Sequence, residues 1–521
     1  MANQIPAATD SIASTPESDL VWYKALLQPQ IGIMLLLGFS AGIPILLIFS
    51  SLSLWLGEAG VERKAVTFFS WAALGYSFKF VWAPLVDCLP IPYLNRAMGR
   101  RRSWLLVSQL LIMLAILLMA SIDPALGQEH LVWMAWAAVL LGFSSATQDI
   151  VIDAYRIEAA ETRLQALMSS AYIAGYRVGM VVAGAGALWL AASLGSKKGE
   201  YLYNAWQWTY VAMAAVMLIG VATTLWIREP APKQASVQVY STWDYLRLVL
   251  VFGLAVSGFV GTFFIAAGAF DYLGSLTDGR PLAGFLVEIL RFITAILVAV
   301  LVGWVLVRLN AVNRGMAHSS WVAPIAEFFQ RYGVKTALLL LALIGLYRIS
   351  DIVAGVSSNV FYQDLGFSKE EIATAVKTFG VIVSIAGGFL GGIFASWLGV
   401  IRALLLGGLL AALSNLVFVW LAYSGKDLLI MYLAITADNL AAGFASAAFV
   451  AFLSALTNVS FTAVQYAIFS SLMTLIPKVI GGYAGTIIDA MGYPWFFSFT
   501  TLIGIPVLLL VLLVQRYVKV E

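Results

Sequence analysis

Asp149 and Asp153 stand four residues apart, and Arg156 follows three later, near the end of an apolar run that covers about 131–155. At helical spacing the three side chains share one face. A carboxylate at the centre of a bilayer costs roughly 3 kcal/mol even on the mildest scale. Two on one face cannot point at lipid and must look into a wet or protein-lined cavity. Two readings stand for the pair. One is proton coupling or substrate binding, because a desolvated carboxylate can load and release a proton as access alternates. The other is a structural ion pair with Arg156 or Arg177. Neither acid ranks above the other, and their late position favours the cytoplasmic half of such a cavity. Gln148, beside them, is a further candidate for contact with a substrate.

Other charges sit inside apolar runs. Arg177 lies in Gly175-Tyr176-Arg177-Val178-Gly179. The two glycines let a neighbouring helix approach closely, which turns Arg177 roughly the other way, towards the interior. It is either the partner of Asp149 or Asp153, or a bidentate site for a substrate carboxylate, and the two are compatible. Arg348 and Asp351 are three apart on one face, close enough to pair, and Asp351 is a third candidate for proton coupling. Lys79 and Asp438-Asn439 carry weaker versions of the same signal. Glu288 and Arg291 are expected to neutralise each other. Gly38 and Gly42 predict tight packing of the first span, and Pro44 a bend in it.

Asp87 and Gly99-Arg100-Arg101-Arg102 suggest a gate at helix ends. An Asp there can pair with Arg, or with a helix N-terminus, in one conformation and release it in another. The basic group also serves as a positive-inside anchor.

These residues must be carried by membrane-spanning helices. The chain has 521 residues, 61% hydrophobic and 11% charged, with a mean hydropathy of +0.92. A soluble domain carries about 25% charged residues. Apolar runs of some 20 residues recur throughout, each long enough to cross a bilayer as a helix, where a barrel would show short alternating segments. A net charge of +3 argues against nucleic acid as a partner. The single cysteine, Cys88, forms no internal disulfide, and the two histidines, His130 and His318, are placed in loops. No metal site, cofactor or Cys/His nucleophile is therefore expected. An embedded transferase remains as an alternative class, against which the lack of an intramembrane histidine counts.

We expect about fourteen spans, near 31–56, 65–86, 104–121, 131–155, 166–193 and 206–227, then 246–270 and 283–308, then 336–360, 372–397, 400–422, 428–456, 461–488 and 494–515. Polar breaks at 228–241 and 310–335 bracket the middle two. The predicted organisation is a mobile tail at 1–28 rather than a cleaved signal, a six-helix bundle at 29–228, a linker with two extra spans at 229–335, a second bundle at 336–516 and a tail at 517–521. The 6 + 6 arrangement suits a pseudo-twofold transporter. Most Lys and Arg fall on the side of the termini, which places both termini in the cytoplasm. A weak internal repeat supports two halves: the Gly99-to-Leu105 turn and Leu398-Gly399-Val400-Ile401-Arg402 share a glycine, basic, apolar order.

Several stretches carry a family resemblance: Gly38-Phe39-Ser40-Ala41-Gly42-Ile43-Pro44, Gly99-Arg100-Arg101-Arg102-Ser103-Trp104, Ala146-Thr147-Gln148-Asp149-Ile150-Val151-Ile152-Asp153-Ala154-Tyr155-Arg156, Gly175-Tyr176-Arg177, the 439–452 segment and Phe461-Thr462-Ala463-Val464-Gln465-Tyr466-Ala467. Together, from about 27 to 516, they resemble the AmpG muropeptide permeases, a major facilitator family of the Gram-negative inner membrane. Asp87 with the arginine group resembles the facilitator loop signature, but Cys88 to Met98 separate the two parts, whereas the usual signature is compact. The resemblance implies a proton-driven importer of N-acetylglucosamine-1,6-anhydro-N-acetylmuramic acid and its peptides, in wall recycling and upstream of AmpC β-lactamase induction, acting as a monomer by alternating access. A related acetyl-CoA or sugar facilitator is the alternative within transport.

Overall fold

The structure is a computed structural model, and it describes residues 26–61, 76, 78–196, 199–230, 240–276, 281–481 and 484–518. Among the described residues, thirteen helices are long and apolar enough to span a membrane. They are α1 Pro29–Glu58, α2 Arg100–Ala120, α3 Gln128–Ala159, α4 Leu164–Ser193, α5 Tyr203–Trp226, α6 Thr242–Ile265, α7 Leu290–Arg308, α8 Val334–Asp364, α9 Glu370–Leu398, α10 Val400–Ser424, α11 Leu428–Leu456, α12 Val459–Pro477 and α13 Tyr493–Tyr517. The span expected near 65–86 lies mostly outside the described residues. Its described end is a tight turn, Lys79–Val81, and a short helix, Ala83–Cys88. Residues 1–25 of the expected 1–28 tail and the Glu288 side chain also fall outside them.

Local chemistry explains the breaks. Pro44 lies inside α1, and a π turn at Leu47–Ser51 follows it, as a missing backbone donor and a ring clash demand. α8 is interrupted at Tyr347–Arg348, where Arg348 leaves helical geometry at φ −96 and ψ 14. The charged pair therefore sits at a break in mid-span, rather than on a continuous helix face. Gly99 and Gly399 cap α2 and α10 at φ 86 and 87, conformations that favour glycine. The weak repeat thus marks two equivalent helix starts.

One expectation needs correction. His130 lies in the first turn of α3 and His318 in a π turn, not in loops. The mixed 310–335 segment is largely helical, with Ala323–Tyr332 as its amphipathic end. There Phe328 packs on Phe469 of α12 while Arg331 and Glu327 pair along one side.

Helix packing around the site is set by glycines. Gly38 and Gly42 of α1 lie against the Tyr172 and Tyr176 carbonyls of α4, and Gly175 and Gly179 of α4 lie against Leu35 and Phe39 of α1. The two expected glycine pairs meet each other. On the other side Gly387, Gly391 and Gly443 lock α9 to α11 in the same manner. A Cβ at residue 175 would fall 1.9 Å from the Leu35 carbonyl oxygen. We expect Gly175→Ala to cost about 3 kcal/mol, since backbone cannot yield cheaply, and to lower the thermal midpoint of the purified protein. An unchanged midpoint would refute the interlock. α6 and α7 pack on each other, and Leu248 and Val251 of α6 join the core of the first half.

Candidate functional site

α3 carries Asp149, Asp153 and Arg156 inward, as the spacing predicts. The two acids differ sharply. Asp153 Oδ2 accepts from Lys79 Nζ at 3.5 Å, and its Oδ1 accepts from Arg156 Nη2 at 3.4 Å. Asp149 accepts only the Tyr172 hydroxyl, at 3.3 Å, and makes no ion pair among the described residues. Arg156 is fully buried. Its Nη1 donates to Gln165 Oε1, Ser169 Oγ and Ser454 Oγ at 3.1, 3.1 and 2.7 Å, and the guanidinium lies 5.2 Å from the centre of the Tyr466 ring. The ion-pair reading therefore describes Asp153, with Lys79 as a partner the spacing alone did not select. Arg177 bonds neither acid. Gln148 is wholly buried and turns to Ser40 of α1, 3.5 Å away, rather than joining Asp149.

A second group lies across the interface. Arg348 and Asp351 pair through two guanidinium nitrogens, Nε at 3.0 Å. Asp438 and Arg177 are in electrostatic reach of this pair and of each other. Asn439 donates to the Ile435 carbonyl of its own helix at 3.0 Å, as a polar side chain in a helix often does.

At one end the halves are latched. Arg101, almost wholly buried, donates from Nη2 to Asp87 Oδ1 at 2.7 Å, to Glu158 Oε1 at 2.5 Å and to Thr462 Oγ1 at 3.0 Å, and from Nε to Glu158 Oε2 at 3.0 Å. Thr462 also donates to Glu158. The Val464 amide, at the start of α12, donates to Asp87 Oδ2 at 3.1 Å. That is the helix-end contact expected of a gate acid. Arg100 holds the Asp87 carbonyl. Arg102 donates to the Thr224 and Leu225 carbonyls, and Glu229 receives the Arg101 and Arg102 amides. Among the described residues, every hydrogen bond between residues before 230 and residues after 334 lies between Ser170 and this end. Among the described residues, no such bond is found at the opposite end.

Glu158, Ser454, Thr462 and Glu229 escaped the sequence reading. Glu158 had a signal, an acid on the same helix as Asp153 and Arg156. The others are short or terminal polar residues whose partners lie far away in the chain.

Two helical halves meeting around buried charges and latched at one end define a membrane transporter of the major facilitator fold. The fold recurs in solved structures. The proton:xylose symporter XylE bound to 6-bromo-6-deoxy-D-glucose aligns with a TM-score of 0.58 at 12% identity, over 94% of this chain and 95% of its own. FucP in the outward conformation aligns with a TM-score of 0.56 at 11% identity, over 94% and 99%. The family model described as Acetyl-coenzyme A transporter 1 matches residues 30–225. The anhydromuropeptide permease of Escherichia coli K12 is 30% identical over 94% of this chain and 80% of its own length. Putative transporter AmpG 4 of Rickettsia felis is 29% identical over 93% and 96%. The chain belongs to the AmpG family of permeases.

Proposed function

We propose that the protein imports N-acetylglucosamine-1,6-anhydro-N-acetylmuramic acid and its peptides across the inner membrane in symport with protons, as a monomer with both termini cytoplasmic. The relatives' names support the substrate. In a cell with an inducible AmpC β-lactamase, this import supplies the inducing signal. The latched end is then cytoplasmic, and the conformation is the outward-facing one, ready to take ligand from the periplasm.

One observation carries the coupling. Asp149 has a single neutral donor, Tyr172, beside the Lys79–Asp153–Arg156 group. Protonating Asp149 breaks no ion pair, whereas protonating Asp153 weakens two. Asp149 is thus the acid whose protonation breaks no ion pair, and Asp153 is the fixed counter-charge that holds Lys79 and Arg156 in place. Arg177 supplies a cation for a ligand carboxylate, and Asp351 holds Arg348 ready to be released to one. Asp87 with Arg100, Arg101 and Arg102 forms the cytoplasmic gate.

The test is uptake of labelled anhydro-muropeptide into energised membrane vesicles. We expect accumulation above the external concentration, and its loss on adding a protonophore. Accumulation that survives the protonophore would rule out proton coupling. The match of residues 30–225 favours acetyl-CoA transport as a second reading. Excess acetyl-CoA should leave muropeptide uptake intact, and displacement by it would favour that second reading.

A further inference from the structure

Arg177 of α4 and Asp438 of α11 belong to opposite halves, on helices packed together. Each is half-buried, and neither makes a hydrogen bond or ion pair with a described residue. They lie within electrostatic range but not in ion-pair contact. The charged and titratable groups that face Asp438 are Asp351, Arg348, Arg177 and Tyr362. Arg348 is already committed to Asp351. What remains is one cation and one anion on packed helices of opposite halves, each without a hydrogen bond or ion pair to a described residue. Such charges are costly away from water unless something answers them. A simple anion would satisfy Arg177 and leave Asp438 bare, and a simple cation would do the reverse. A ligand end that carries both a carboxylate and an ammonium answers both and adds no net charge.

We propose that Arg177 and Asp438 form a subsite for the zwitterionic end of a ligand. The carboxylate takes the guanidinium fork of Arg177, and the ammonium donates to Asp438. The inference rests on the muropeptide reading and deepens it: this subsite reads the peptide, not the sugars. It also gives both halves a hold on one ligand group, which favours their closing around it.

The experiment measures binding of three ligands to the purified wild-type protein and to Asp438→Asn. They are the anhydro-disaccharide without peptide, the form whose peptide bears a free amine and adjacent carboxylate, and the same peptide form N-acetylated at that amine. A charged hydrogen bond predicts that acetylation weakens wild-type binding by about tenfold or more. Asp438→Asn should weaken the free-amine form by a similar factor, affect the disaccharide less, and make acetylation almost without further effect. The proposal is overturned if the wild type binds acetylated and free forms equally, or if Asp438→Asn still discriminates between them. If the variant fails to fold, the wild-type series decides alone. If none of the three ligands binds, the muropeptide reading fails and the subsite with it. Failure of the subsite alone leaves the disaccharide bound.

Discussion

Asp149→Asn should turn an accumulating transporter into an equilibrating one. An asparagine has the shape of a protonated aspartate and keeps a partner for the Tyr172 hydroxyl, which lies 3.3 Å from Asp149. It cannot exchange a proton. With a pH difference of one unit, each coupled proton concentrates the ligand by about tenfold, and the variant should reach a ratio of about one. Exchange of labelled for unlabelled ligand across the membrane should persist, because the neutral form can still cycle. Asp153→Asn should behave differently. It removes the shared partner of Lys79 and Arg156, whose side chains are 10% and 0% exposed. Breaking such a buried group costs about 3–5 kcal/mol. The expected result is a lower thermal midpoint and less protein in the membrane, with loss of exchange as well as accumulation. Measuring both fluxes in both variants separates the roles. Uphill transport by Asp149→Asn would remove Asp149 from the coupling.

The contrast between the two acids was not legible in the sequence. Their spacing places both on one face of α3, and that is where they are. Which one meets a cation depends on Lys79, seventy-four positions earlier than Asp153, and on the turn of its segment before the short Ala83–Cys88 helix. Spans were legible because twenty apolar residues in a row have few other fates. The glycine pairs of α1 and α4 were legible as close-packing sites, but not as partners of each other, since spacing says nothing of the facing helix. Arg177 illustrates the limit. Its turn away from the glycine face was readable, yet its neighbours are Arg348 and Asp438 of the other half. Contacts across a pseudo-twofold interface join residues hundreds of positions apart, and no local pattern records them.

These contacts also explain why the two ends of the molecule behave differently. Arg177, Arg348 and Asp438 lie mid-span, while among the described residues the hydrogen bonds between halves run only from Ser170 to the Asp87 end. Alternating access requires that the latched end open when the other closes. The energy that holds it shut must then be comparable to what ligand and proton binding can supply. Arg101 and Asp87 contribute to it through directional bonds across the interface, to the Thr462 hydroxyl and from the Val464 amide.

Arg101→Gln tests this device. The guanidinium is 1% exposed and bonds two acids, Asp87 and Glu158, whose side chains are 9% and 10% exposed. It also donates to Thr462 across the interface. Glutamine leaves both carboxylates without that cation, with only Arg100 near Glu158 at 3.9 Å. Loss of one partner of a buried charge pair costs about 3 kcal/mol or more. Charged to the latched state alone, that shifts the balance between the two facing states by about a hundredfold. Part of the cost appears in both states, so the shift is an upper bound set by how far the carboxylates hydrate once the end opens. Cys88, the single cysteine, stands one residue from Asp87 and 3.2 Å from Ser320, and it reports opening. Its labelling by a membrane-impermeant maleimide from the cytoplasmic side should rise in Arg101→Gln, while uptake from the periplasmic side falls by more than tenfold. Arg101→Lys should recover only part, since an ammonium cannot serve two acids and a hydroxyl in one plane. Thr462→Val, which removes the Thr462 hydroxyl's bonds to Arg101 and Glu158 across the interface and keeps both ion pairs and the Val464 amide bond to Asp87, should shift labelling in the same direction by less. Unchanged Cys88 labelling with unchanged uptake in Arg101→Gln would mean that this end is held shut by something other than the arginine.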